Sequence, residues 1–300
     1  MTGVSRTGRQ AGAGVRTVVW QHVRVSEPHV SHVPVTDDVS LAVHDHGGDA
    51  PPLLLVHANG FHARAWDPVV RRLAGRYRCV AVDLRGHGDS ILPDGVSIDW
   101  RRSGEDLLLV VDALGLGRGV RAAGWSMGGA VVVLAELARP GTIGAAFLFE
   151  PILFSRPTAE AMGENPMAAV ARRRREVFAD RTVAYERFEG RGPFARCTSE
   201  GLHAYVDHAF VDLPDGTVRL KCRGETEARN FESPPVGAFE QLGGVWCRVV
   251  VGGSGDGAPP ALMAPAVAEA VPGGRFASFP DLTHFAPLED PGLIAEAIVD

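Results

Sequence analysis

Lysine is almost missing from this 300-residue chain: Lys221 is the only one. Schiff-base or lysine-nucleophile chemistry is left with a single candidate side chain. An excess of positive charge is missing too. Thirty Lys and Arg stand against 36 Asp and Glu, a net charge of -6, which argues against a nucleic-acid binder and fits simple solubility. Cysteine is scarce. Cys79, Cys197, Cys222 and Cys247 show no C-x-x-C spacing, and four thiols in a chain this long make no disulfide framework. Cys79 and Cys247 sit in apolar runs, where a small buried thiol is the ordinary reading. No apolar run is long enough to span a bilayer. The N-terminus carries Arg6, Arg9 and Arg16 without an apolar segment and cleavage signal, so a cytoplasmic location is expected.

What the chain does have is a series of short, continuously apolar runs. Leu53-Leu54-Leu55-Val56, Cys79-Val80-Ala81-Val82, Gly119 to Ala123, Ile143 to Phe149 and Cys247 to Val251 are apolar on both faces, as strands of a buried parallel sheet are. Helical patterns at Trp66 to Ala74, Asp99 to Leu114 and Met127 to Arg139 separate the early ones. This β-α alternation predicts an α/β fold, a mostly parallel sheet with helices on both faces. Two alternating stretches, Val30 to Val35 and Val39 to His44, flank Thr36-Asp37-Asp38 and read as a hairpin. Between Phe149 and Cys247 no buried strand run occurs. Ala159 to Phe178 and Thr198 to Phe210 are amphipathic and predict helices there. The pattern resumes with a helix near Ala261 to Ala270, a strand near Arg275 to Phe279 and a closing helix from Pro291. The expected layout is a mobile tail at 1–20, a core made of 21–150 and 241–300, and a helical cap at 151–240.

Gly124-Trp125-Ser126-Met127-Gly128-Gly129 lies between a strand pattern and a helix pattern. Strand, Gly-x-Ser-x-Gly, helix is the context of a nucleophile elbow. So sharp a turn needs the missing side chains of Gly124 and Gly128. It lifts the Ser126 hydroxyl to the helix N-terminus, where free N–H groups favour developing negative charge. A serine needs a base, and the base an orienting group. His284 is the base candidate, in a loop after the last strand pattern. Two carboxylates compete behind it. Asp256 follows the Val249-Val251 run and keeps the order Ser, Asp, His, so it is favoured; Glu150, directly after Phe149, is the alternative. The oxyanion donors expected are the N–H of Met127 and, from the loop His57-Ala58-Asn59-Gly60-Phe61-His62, that of Asn59, with Ala58 as the fallback. His57 reads as a buried, loop-shaping histidine. Trp125, Phe61, Phe154 and Phe285 are expected around the substrate. Met162, Met167, Phe178, Phe194 and Phe210 of the cap would extend that apolar lining.

Weaker patterns have blander readings. His44-Asp45-His46 does not continue into a metal-ligand spacing, so no metal is expected. The Gly115-x-Gly117-x-Gly119 run ends a helix and precedes a strand, the wrong order for a dinucleotide turn. Gly253-x-Gly255-x-Gly257 is better read as the acid loop. Arg172 to Arg175 reads as a solvated helix face, with an anion-greeting cap as the rival.

Four motifs together resemble the α/β-hydrolase superfamily: His57-Ala58-Asn59-Gly60 with Trp66 nine residues on, Asp83-Leu84-Arg85-Gly86-His87-Gly88-Asp89-Ser90, Gly-Trp-Ser-Met-Gly-Gly, and Gly253-x-x-Asp256 followed by His284. The resemblance implies an eight-stranded sheet with a helical cap between strands six and seven. Ser-Met-Gly-Gly is similar to small esterases, cofactor-free perhydrolases and C–C bond hydrolases. Ala58 departs from the glycine usual there. Ser126 argues against the branches with Asp at the elbow, although Asn59 and Glu150 stand where one dehalogenase branch keeps working residues. The expectation is a cofactor-free serine hydrolase acting through an acyl-enzyme on an ester of a small, hydrophobic molecule. The alternatives are C–C bond hydrolysis or perhydrolysis on the same triad, and a ligand-binding protein that has lost turnover.

Overall fold

A computed structural model describes residues 27–299. The expected tail at 1–20 lies outside the described residues. Eight strands form one sheet in the order β1-β2-β4-β3-β5-β6-β10-β11. They are β1 (His29–Pro34), β2 (Ser40–Asp45), β3 (Pro52–Val56), β4 (Arg78–Val82), β5 (Val120–Trp125), β6 (Ile143–Phe149), β10 (Arg248–Ser254) and β11 (Arg275–Phe279). The β1-β2 pair is the expected hairpin and is antiparallel, as is β2 against β4. From β4 to β11 every pairing is parallel.

The apolar runs are buried on both faces because helices cover both. Along β3, Leu54 and Val56 belong to one apolar core and Leu53 and Leu55 to the other. All four are fully buried, each contributing about 1.5–3 kcal/mol of burial. Helices α2 (Trp100–Ala113), α3 (Met127–Ala138) and α9 (Pro259–Ala270) pack the first face through Val110, Leu134 and Val267. Helices α1 (Asp67–Leu73), α10 (Ala286–Glu289) and α11 (Pro291–Val299) pack the second through Val69, Leu288 and Ile294. Asp99 caps α2 by accepting from the Arg101 N–H at 2.7 Å. Among the described residues no helix is long and apolar enough to cross a membrane.

The segment between β6 and β10 differs from the sequence reading. It holds α4 (Arg156–Met162), α5 (Pro166–Arg173), α6 (Arg181–Phe188), α7 (Ser199–Val206) and α8 (Gly224–Glu232). It also holds a small antiparallel sheet of β7 (Val177–Phe178), β9 (Val218–Leu220) and β8 (Phe210–Asp212). The helix expected over Ala159 to Phe178 is broken. Gly163 takes φ +62°, and Asn165 caps a new helix that starts at Pro166. The strands are two or three residues long, too short to register as apolar runs.

The order of the sheet decides where chemistry can assemble. The exits of β3, β5, β6, β10 and β11 are neighbours on one edge, with Val56 beside Gly124, Trp125 beside Phe149, Phe149 beside Gly252 and Ser254 beside Phe279. Loops leaving these strands must meet.

Candidate active site

Ser126 follows β5 directly, with φ 57° and ψ -118°, and α3 begins at the next residue. Glu150 follows β6 directly with φ 45°. Among the described residues these two are the only non-glycines with positive φ. Such a conformation costs about 1–3 kcal/mol per residue and concentrates at functional positions. The neighbours explain how the elbow fits. A Cβ on Gly124 would come within 2.6 Å of the Gly129 Cα, and one on Gly128 within 2.2 Å of the Val56 carbonyl oxygen. Both places admit glycine alone. The start of α3 is thereby pressed onto the exit of β3, beside the 57–61 loop.

His284 lies in the loop after β11, and three groups hold it. Its ring Nδ1 is 2.5 Å from Glu150 Oε2. Its N–H donates to Asp256 Oδ2 at 2.9 Å, and its C=O accepts from Trp125 Nε1 at 2.7 Å. Glu150 is fully buried, and its other oxygen accepts from the Ser254 N–H at 2.6 Å. The carboxylate on the imidazole is therefore Glu150, the alternative acid, and not the favoured Asp256. Asp256 sits in an exposed turn beyond β10, and its second oxygen accepts from the Ala258 N–H at 2.8 Å. Gly255 packs so tightly that a Cβ there would lie 2.1 Å from the Pro280 carbonyl oxygen. Asp256 thus holds the main chain of the histidine loop rather than its ring.

The N–H groups of Ala58, Asn59 and Met127 donate to no other group among the described residues. Ala58 and Asn59 leave β3 beside the start of α3. Two neutral imidazoles shape their loop. His57 is fully buried; Nδ1 donates to the Ala58 carbonyl at 2.7 Å and Nε2 accepts the Leu84 N–H at 3.0 Å. Burial pulls its pKa down to about 3, so it stays neutral. His87 donates from Nδ1 to the Arg85 carbonyl at 2.9 Å and accepts the Gly60 N–H on Nε2 at 3.1 Å. Burial lowers its pKa as well.

Phe61 centres an aromatic group, with ring centroids 4.6 Å from Trp125, 5.0 Å from Tyr205 and 6.0 Å from both Phe194 and Phe285. Tyr205, on α7, joins this group without a sequence signal, since a lone tyrosine in a helix pattern does not show what it faces. Phe154 is half-buried and makes no ring contact with this group among the described residues. The wider apolar lining expected from the insertion is corrected in part. Met162 and Met167 are 42% and 46% exposed on its outer side. Phe178 and Phe210 pack on each other at 5.6 Å, in the same buried cluster as Phe61, Trp125, Phe194 and Tyr205.

The remaining charged clusters are structural. His44, Asp83 and Asp89 offer ligand atoms within 4.8 Å of one another. Both Asp83 oxygens, however, are taken: Oδ1 by the Ala63 N–H, and Oδ2 by His44 Nε2 and the Asp89 N–H. Asp89 pairs with Lys221 at 2.6 Å. Burial is the strongest single influence on Asp83 and opposes its ionisation, but the His44 hydrogen bond and the surrounding imidazoles together hold the carboxyl far below its usual range. This cluster anchors the 83–90 loop. The arginine run is largely neutralised: Arg172 pairs with Glu225 and Glu232, and Arg174 with Glu227. Arg175 lies over the Phe178 ring.

A profile of the alpha/beta hydrolase family matches residues 53–297. Protein phosphatase methylesterase 1 of Mus musculus is 31% identical over 140 residues, 42% of this chain and 36% of its own length. Pimeloyl-[acyl-carrier protein] methyl ester esterase of Nitrosomonas europaea is 34% identical over 93 residues, 31% of this chain and 34% of its own. The chain thus spans about a third of the length of these curated relatives. Among solved structures, E-2-(acetamidomethylene)succinate hydrolase superposes with a TM-score of 0.76 at 18% identity, covering 91% of this chain and 98% of that one. The esterase RhEst1 of a Rhodococcus species superposes with a TM-score of 0.72 at 22% identity, covering 90% and 97%. These two structural likenesses speak for the fold. With the family profile spanning 53–297, from β3 to α11, the chain belongs to the alpha/beta hydrolase family.

Proposed function

We propose that this protein is a serine hydrolase of carboxylic esters, working through Ser126, His284 and Glu150. The observations that carry the reading are the strained Ser126, whose N–H donates to the Phe149 carbonyl at 2.9 Å directly beside Glu150, and a histidine whose Nδ1 is held at 2.5 Å by that fully buried carboxylate. Glu150 keeps the proton on Nδ1, which leaves Nε2 free to take the Ser126 proton as Oγ attacks the ester carbonyl. The imidazolium so formed is stabilised by the same carboxylate. The N–H groups of Met127 and Asn59 receive the oxyanion. Collapse expels the alcohol with the proton returned from His284, and water then cleaves the acyl-enzyme with His284 again as base. The segment 151–240 serves as a cap. Its Phe194 and Tyr205 close over Phe61, Trp125 and Phe285 and make an apolar seat for one side of the ester. The two curated relatives named above are, by name, methyl ester hydrolases, and this supports ester rather than C–C bond or peroxide chemistry.

Labelling with a fluorophosphonate and turnover of p-nitrophenyl acetate test the reading. Wild type forms the adduct at Ser126 and hydrolyses the ester, and Ser126→Ala does neither. A wild type that stays unlabelled, under conditions that label a control esterase, overturns it in favour of a binding protein.

A further inference from the structure

The helix α8 of the insertion rests directly on the loop proposed to supply the second oxyanion donor. Two left-handed glycines make the seat. Gly60, at φ +78°, has Glu227 Oε1 2.8 Å from where its Cβ would be. Gly86, at φ +73°, has Thr226 Cγ2 2.6 Å from where its own Cβ would be. Asn59 spans the joint: its Nδ2 donates to the Glu227 carbonyl at 3.0 Å. The Glu227 carboxylate is held from above. Arg174, at the end of α5, donates to Glu227 Oε2 through Nη1 and to the Tyr205 hydroxyl through Nη2, the latter at 3.0 Å. Tyr205 completes the ring back to the same loop. Its carbonyl accepts from His62 Nε2 at 3.0 Å, and its ring lies 5.0 Å from Phe61. The Arg174 and Glu227 side chains are only 20% and 14% exposed. Two opposite charges so withdrawn from water hold one geometry strongly, and removing either leaves the other unpaired.

We propose that Arg174 and Glu227 are positioning residues for the oxyanion loop, so that seating α8 and aiming the Asn59 N–H are one event. The inference rests on the serine hydrolase reading above. The physical reason is rigidity. The loop's own bonds, from His57 Nδ1 and from the Phe61 N–H, both end on the Ala58 carbonyl, and the Ala58 and Asn59 N–H groups bond to nothing among the described residues. His87 holds it from the core side, and α8 from the cap side. Neither Arg174 nor Glu227 touches the reacting atoms. They act through Asn59 and Gly60, on a donor used far more by the tetrahedral oxyanion than by the planar ester.

The test compares Glu227→Gln, Glu227→Ala, Arg174→Lys, Arg174→Met and the Arg174→Met/Glu227→Ala double variant with wild type. Three readouts are taken: ester kinetics, inhibition by an alkyl trifluoromethyl ketone (which binds serine as an oxyanion adduct), and amide exchange across 57–61. Expected is a fall in kcat of about 10- to 100-fold for Glu227→Ala and Arg174→Met, with KM within about 2-fold. Ketone affinity falls by the same factor as kcat. Glu227→Gln and Arg174→Lys recover part of the loss, and the double variant is no worse than either single. A raised KM with unchanged kcat and unchanged ketone affinity overturns the proposal, because the pair would then only shape the substrate seat. Should an alanine or methionine variant fail to fold, the two conservative variants decide by the same criteria. Amide exchange separates this proposal from the one beneath it, since it needs no turnover. Faster exchange across 57–61 in Glu227→Gln supports the coupling even in a protein that hydrolyses nothing, and unchanged exchange refutes it.

Discussion

Exchanging Glu150 for glutamine should cost far more than exchanging Asp256 for asparagine, and the hydrogen bonds show why. The two oxygens of Glu150 have different partners, the Ser254 N–H at 2.6 Å and His284 Nδ1 at 2.5 Å. In Glu150→Gln the amide oxygen must stay with the Ser254 N–H, because that donor has no alternative acceptor. The NH2 group then faces Nδ1. An NH2 can only donate, so the ring must offer a lone pair at Nδ1 and carry its proton on Nε2. That tautomer cannot take the Ser126 proton. The imidazolium also loses its counter-charge, a carboxylate fully withdrawn from water. The expected loss in kcat/KM is about 10⁴-fold, or about 5 kcal/mol. In Asp256→Asn, the amide oxygen still accepts from the His284 N–H. What is lost is the bond from the Ala258 N–H, which the NH2 group cannot accept, and the charge assistance of the bond that stays; both lie in an exposed turn, so the cost is about 1 kcal/mol, or less than 10-fold. The assay is kcat/KM for p-nitrophenyl acetate across pH 6 to 9, with thermal midpoints to show that both variants are folded. If Asp256→Asn is crippled while Glu150→Gln stays within about 10-fold of wild type, the orientation argument is wrong and Asp256 is the acid.

Two further outcomes follow from the same geometry. Trp125→Phe keeps the ring packing against Phe61 but removes the 2.7 Å bond to the His284 carbonyl. It should lower kcat several-fold, about 1 kcal/mol, and an unchanged kcat would show that Asp256 and Glu150 suffice to place the loop. The protein should also lose stability in mild acid. Burial holds His57 and His62 at pKa values of about 3, against 6.5 for a free imidazole. Their folded pKa values are depressed, so below pH 6.5 the unfolded chain binds protons that the native state refuses. This contribution is intact above pH 6.5 and is lost as the pH falls toward 3. At pH 5 these two residues together should have removed about 4 kcal/mol relative to pH 8. Urea midpoints at the two pH values check this, and equal midpoints would contradict the buried neutral state.

Much of this molecule was legible locally. Leu53 to Val56 is apolar on both faces because β3 lies in mid-sheet with a helical layer on each side, and a run of four such residues says so without any partner. The elbow is legible for a similar reason. The clashes that demand glycine at 124 and 128 arise within a few residues of Ser126 and against the strand beside it. His284 could be found because it follows the last strand, where any loop must reach the catalytic edge. The small strands of the insertion could not be found, since residues as few as those of β7 carry no periodicity.

The choice between two carboxylates is of another kind. Asp256 and Glu150 each follow an apolar run, and chain order favoured the former. Only the sheet order β5-β6-β10-β11 places Glu150 between the serine strand and the histidine strand. Only the positive φ at Glu150 aims its carboxylate at the imidazole, and nothing in the residues Phe149-Glu150-Pro151 announces that turn. The same holds for Arg174, which in sequence is one of four arginines on a helix face and in space is neutralised by a glutamate on α8. The chain determined which residues would be buried and where the nucleophile would stand, because those are contacts of a residue with its own strand or turn. Which acid meets the histidine, and which helix meets the oxyanion loop, are contacts between segments far apart in the chain, and only the folded sheet decides them.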